Sequence, residues 1–130
     1  MSPLQVLVLD DDDFMLELVT EQLEQIGGVE VVSVSDAWSA LAFVDDEVAR
    51  PDLLVFDLGL RDLHGTEVMR MLADRHYAGG VVIISGSPQH VLDAAADIAV
   101  GYGLRLVDTI AKPLDPTRLR SAVERVQTQE

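Results

Sequence analysis

Short apolar runs alternate along the chain with segments of helical period. The runs are Val6–Leu9, Val29–Val34, Leu53–Phe56, Val81–Ile84 and Leu106–Ile110. Three of them are apolar throughout and contain β-branched residues, as expected of strands buried on both faces of a parallel sheet. Between the runs lie apolar stripes at helical spacing. The first is Leu16, Val19, Leu23 and Ile26; the second is Ala37, Leu41, Val44 and Val48. A third is Val68, Met69 and Leu72, and a fourth Val91, Ala95, Ile98 and Tyr102. Leu119, Val123 and Val126 form the fifth. Punctuation agrees with this division. Gly27–Gly28 closes the first helix, Arg50–Asp52 breaks the chain before the third strand, and Gly79–Gly80 precedes the fourth. Ser87–Pro88 and Asp115–Pro116 each offer an N-cap followed by Pro at the first helical position.

Five β-α units in succession predict a parallel sheet with helices on both faces and right-handed crossovers. At 130 residues this is one domain, spanning 1–130. The expected architecture is a flavodoxin-like, doubly wound (βα)5 fold with a five-stranded sheet of order 2-1-3-4-5. Ligands in such folds bind beyond the carboxyl ends of the strands, where the strand order reverses. Here that is between strands 1 and 3.

Composition narrows the function. The hydrophobic fraction is 48% and the aromatic fraction only 5%, so the core is built from Val, Leu, Ile and Ala. There is no cysteine, which excludes disulfides and thiolate metal sites and points to a cytoplasmic protein. No apolar run reaches the length of a membrane span, and no signal peptide is expected. With 9 basic and 23 acidic residues the net charge is -14. That surface repels phosphate backbones, so the expected partners are a metal cation or a basic protein face, without direct nucleic-acid binding and without a membrane.

The predicted binding edge carries distinctive chemistry. Strand 1 ends in Asp10, Asp11, Asp12 and Asp13; strand 3 ends in Asp57, strand 4 in Ser85, and strand 5 near Lys112. Converging carboxylates repel unless a cation joins them, and an oxygen-rich site suits Mg²⁺. A metal beside a carboxylate nucleophile fits phosphoryl transfer, with Lys112 and Ser85 holding phosphoryl oxygens. Each residue also has a plainer reading. The aspartates cap a helix and favour its dipole, which is the expected role of Asp12 and Asp13. Asp57 alone is a turn residue, Ser85 a loop hydroxyl, Lys112 a solvated lysine. Their coincidence at one sheet edge favours the chemical reading.

The motifs carry a family resemblance across residues 4–126. Val6–Asp12 resembles the opening strand and acidic pair of response regulator receiver domains. Pro51–Gly65 resembles their phosphoacceptor strand and following loop. Val81–Gly86 is similar to the strand ending in a switch Ser/Thr, and Ala111–Leu114 to the Lys-Pro signature. The resemblance implies Asp57 as phosphoacceptor, with Mg²⁺ on Asp11, Asp57 and the carbonyl of Gly59, and on Asp10 through water. It implies Lys112 and Ser85 as phosphoryl-binding groups. The donor would be a sensor histidine kinase or phosphotransfer protein, and the output a fused or separate partner. Three departures stand out. Arg61 replaces a usual Pro, His64 a frequent Asp, and Thr109 a frequent aromatic residue, which leaves the readout route open. The stretch from Ser85 to Lys112 is longer than usual and resembles receivers joined to a cyclic di-GMP phosphodiesterase (EAL) domain; the tail at 127–130 would then begin a linker. Two rival readings remain. A haloacid-dehalogenase-type phosphatase would use Asp10 and Asp12, but leaves Asp57 without a role. A receiver-like interaction module would take no phosphate at all.

Overall fold

The computed structural model describes residues 2–128. Elements alternate strictly: β1 Leu4–Leu9, α1 Asp13–Glu24, β2 Val29–Val34, α2 Ala37–Asp45, β3 Leu53–Asp57, α3 Gly65–Asp74, β4 Gly80–Ser85, α4 Gln89–Gly101, β5 Arg105–Ala111 and α5 Pro116–Thr128. The strands are all parallel, in the order β2-β1-β3-β4-β5. This is the expected doubly wound fold.

The sheet separates two cores because successive residues of a strand face opposite sides. Leu7, Leu9, Leu54, Phe56, Val81 and Ile83 pack beneath α2, α3 and α4. Val6, Val8, Leu53, Val55, Val82 and Ile84 pack beneath α1 and α5. The central strands β3 and β4 are buried along their whole length, so their apolar runs show no alternation. A bulge between Val81 and Val82 shifts the register onto β5, bringing Asp108 opposite Val82 and Thr109 opposite Ile83.

Three details differ from the sequence expectation. In α4 the buried residues are Leu92, Ala95 and Ala99, while Ile98 and Tyr102 are exposed. Val91, Leu92, Ala95, Ile98 and Ala99 offer two overlapping apolar stripes, so periodicity alone does not choose the face; the small alanines allow the closer approach to the sheet. Val48 is not a helical core residue but is 95% exposed. α2 stops at Asp45, and the Asp46 carboxylate accepts from the N–H groups of Val48 and Ala49, turning the chain outward. Ser87 does not cap α4. Pro88 occupies the cap position, and the Ser87 N–H donates to Ser85 Oγ instead. The cap at α5 is as expected, Asp115 Oδ1 accepting from Thr117 N at 2.9 Å. α5 runs through Thr128, so Gln127 and Thr128 are helical, and residues 129–130 of the expected linker lie outside the described residues.

Two helix ends share one geometry. After α4, Gly103 adopts φ +79°, with Gly103 N donating to Val100 O and Leu104 N to Ala99 O. After α3, His76 takes the same role at φ +53°, with His76 N on Ala73 O and Tyr77 N on Leu72 O. Both are Schellman closures, but only the first has the glycine that this left-handed position favours.

Candidate functional site

Parallel pairing brings residues from the whole chain to one edge. Asp10 follows β1, Asp57 ends β3 and Ser85 ends β4. Ser85 lies opposite Ala111 on β5, which carries Lys112 to the same edge. Backbone bonds extend the pairing past the strands: Leu58 N donates to Ile84 O at 3.0 Å and Lys112 N to Ser85 O at 2.9 Å. The functional side chains therefore sit on a rigid frame.

Asp10, Asp57 and Ser85 are the buried polar residues among those described. The Lys112 ammonium donates to Asp57 Oδ2 at 2.9 Å and lies 4.0 Å from Asp10 Oδ2. The other oxygen of Asp57 accepts from Gly59 N at 3.1 Å. Asp10 Oδ1 accepts from Asp12 N at 2.9 Å. Burial pushes the Asp10 carboxyl above its ordinary value, the charge of Asp57 adds to that, and the Asp12 N–H and Lys112 oppose it. Asp11 is more open. Its Oδ2 accepts from Arg61 N at 2.7 Å, and the Arg61 guanidinium stands 4.0 Å away.

Asp12 does what its capping pattern predicts. Its carboxylate accepts from Phe14 N and Met15 N at the start of α1. That engagement removes Asp12 from the Asp57–Lys112 group and weakens the phosphatase reading, which needs Asp12 as acid/base. His64 is exposed at the start of α3 and makes no side-chain cap. A cleft of about 330 Å³ opens beside Gly59, between the start of α3 and α4, and Ser87, Val91 and Ile98 help to line it.

A hard divalent cation suits this donor set. Two buried carboxylates, Asp10 and Asp57, share the single ammonium of Lys112, and Asp11 adds a third carboxylate at the rim. Among the described residues no three acidic or histidine side chains form a closed metal cage. Magnesium does not require one, because it keeps several waters and typically takes one or two carboxylates.

The sequence placed Asp10, Asp11, Asp57, Gly59, Ser85 and Lys112 at this edge, and the structure puts them there. Reasoning from sequence missed the hold of Arg61 on Asp11. The two residues are 50 positions apart, and no local pattern links them. It also missed Asp62, whose carboxylate accepts from Ala37 N at 2.8 Å and ties the loop after β3 to the start of α2.

Fold and site together define a doubly wound α/β domain with an acidic pocket and a lysine at the carboxyl end of its sheet. The response regulator receiver domain model matches residues 6–124, and the chain belongs to that family. It is thus a receiver domain of two-component signalling. An uncharacterised response regulatory protein of Vibrio parahaemolyticus is 32% identical over 95% of this chain and 47% of its own length. A protein-glutamate methylesterase/protein-glutamine glutaminase of Myxococcus xanthus is 34% identical over 86% of this chain and 31% of its own. The chain spans about half the length, or less, of these curated relatives. Among solved structures, a CheY-like receiver domain protein from Methanospirillum hungatei aligns with a TM-score of 0.81 at 25% identity, covering 98% of this chain and 97% of that one.

Proposed function

We propose that this receiver accepts a phosphoryl group on Asp57 from a phosphohistidine of a sensor histidine kinase or phosphotransfer protein. A lone pair of one Asp57 oxygen forms the new P–O bond. The P–N bond breaks, and its electron pair returns to the donor imidazole. The observation that carries this reading is the Lys112 ammonium 2.9 Å from a buried Asp57 oxygen, with a second buried carboxylate 4.0 Å from it.

Each residue then has a defined task. Lys112 holds Asp57 before transfer and pairs with a phosphoryl oxygen after it. The Ser85 hydroxyl, which accepts from Ser87 N, keeps its own proton free to donate to another phosphoryl oxygen. Gly59 N steadies the Asp57 carboxylate. Asp11, Asp57 and the Gly59 carbonyl would hold Mg²⁺, with Asp10 acting through a water. When bound, Mg²⁺ offsets the negative charge that nucleophile and phosphoryl group bring together. Water removes the group later, so the chain is a switch that labels and unlabels itself, without turnover of an external substrate.

The added charge biases an element with two arrangements. Ser85 and Ser87 join the site to the start of α4, which makes β4, β5 and α4 the responding region. Thr109 stands where an aromatic residue would otherwise couple to the switch hydroxyl, so the Ser85–Ser87 link carries more of that coupling here. The output partner is fused to the chain or separate from it, and both act in the cytoplasm. Among the described residues no helix is long and apolar enough to cross a membrane.

The test is intact mass after incubation with acetyl phosphate and Mg²⁺, on the native chain and on Asp57→Asn. A gain of one phosphoryl group that needs both Mg²⁺ and Asp57 is the expected result. No adduct, where a control receiver is labelled, would turn the reading to an inert interaction module. An adduct that survives Asp57→Asn would return attention to Asp10.

A further inference from the structure

We infer that Arg61 competes with the divalent cation for Asp11, so that its side chain sets the cation concentration at which Asp57 becomes reactive. This rests on the phosphoacceptor reading above and deepens it.

Arg61 reaches Asp11 twice. Its backbone N–H donates to Asp11 Oδ2 at 2.7 Å, and its Nε lies 4.0 Å from the same oxygen. The anchoring around it is asymmetric. Leu60 is buried in the core, and Asp62 is fastened to Ala37 N at the start of α2. The backbone at residue 61 is therefore held over Asp11. The Arg61 side chain itself is 91% exposed, against 19% for Asp11. A proline at this position could offer neither the N–H nor the charge.

The two contacts have different consequences for a metal. The N–H orients the carboxylate and carries no net charge. The guanidinium is a permanent cation near the oxygen that a divalent ion would use, and two cations near one carboxylate repel each other. Because the side chain is solvated, the repulsion is screened, and its removal should tighten Mg²⁺ binding by only about three- to tenfold at low ionic strength.

The experiment is calorimetric titration with MgCl₂ of the native chain, Arg61→Ala and Arg61→Lys, at low salt and at about 0.5 M NaCl, where charges more than a few ångströms apart are screened. Arg61→Ala keeps the N–H and loses the charge. It should bind Mg²⁺ about three- to tenfold more tightly at low salt, with the gap closing at high salt. Arg61→Lys should stay near the native affinity, because it keeps a cation. Unchanged or weaker binding by Arg61→Ala at low salt overturns the inference, and so does a gap that persists at high salt. A native chain that binds no Mg²⁺ and takes no label on Asp57 overturns the phosphoacceptor reading as well. A native chain that does both, beside an Arg61→Ala that binds no tighter, refutes the role of Arg61 alone.

Discussion

Lys112 is the cation shared by two buried carboxylates, 2.9 Å from Asp57 and 4.0 Å from Asp10, and Lys112→Met tests what it contributes. The substitution keeps most of the aliphatic stem and removes the ammonium. It deletes a charge-assisted hydrogen bond to Asp57 and a longer attraction to Asp10. A charged hydrogen bond contributes about 1.5–3 kcal/mol, and breaking a fully buried pair costs about 3–5 kcal/mol. The Lys112 side chain is 23% exposed, so water reaches the site and the lower part of that span applies. A loss of about 2–3 kcal/mol is expected in urea unfolding without metal, or about 6–12 °C in melting temperature for a domain of this size. The sign of the coupling is more telling than its size. If repulsion between carboxylates is the cause, Asp57→Asn added to Lys112→Met should restore most of the lost stability, although it removes a native side chain. Millimolar Mg²⁺ should rescue Lys112→Met more than it stabilises the native chain. Equal stability of native and Lys112→Met, or a double variant weaker than either single one, would refute the reasoning.

Three further outcomes follow from the geometry. The Asp10 carboxyl is raised above its ordinary 3.8, so its charged form opposes folding at neutral pH. Metal-free Asp10→Asn should then be the more stable protein near pH 7, and its advantage in urea midpoint should shrink as pH falls through the raised value toward 3.8, where native Asp10 takes up its proton. His76→Gly should stabilise the fold by roughly 0.5–1 kcal/mol by relieving a positive φ at the end of α3; chemical denaturation checks this, and a loss of stability would show that the imidazole makes a compensating contact. At Gly59 an added Cβ would meet only the Asp57 carboxylate oxygens, at 3.7 and 3.9 Å. Gly59→Leu should therefore fold normally and shield the phosphoryl group from water, slowing loss of the label from Asp57; an unchanged rate means that water enters elsewhere.

Much of this molecule was legible because its signals are redundant. Leu53–Phe56 and Val81–Ile84 read as buried strands since they are apolar throughout, with turn residues on both sides. Once the strands were placed, Asp10, Asp57, Ser85 and Lys112 fell at their carboxyl ends without any further assumption. Legibility failed where one signal had two solutions or none. α4 offers two apolar faces one position apart, and the depth to which alanine lets a helix sink decides between them. Val48 continues the period of α2 on paper, but Asp46 ends the helix first. Arg61 and Asp62 bond to residues distant in sequence, and contacts of that kind leave no trace in local pattern.

The scatter of the site along the chain has a consequence for biogenesis. Asp10, Asp57, Ser85 and Lys112 come from four strands, and every pairing that unites them is parallel and non-local. Such pairings form late, after loop-closure entropy has been overcome. No fragment that lacks β5, and no intermediate with β1 undocked, holds the ammonium against both buried carboxylates. On the proposed phosphoacceptor role of Asp57, competence to be labelled belongs to the completed sheet and to no part of it.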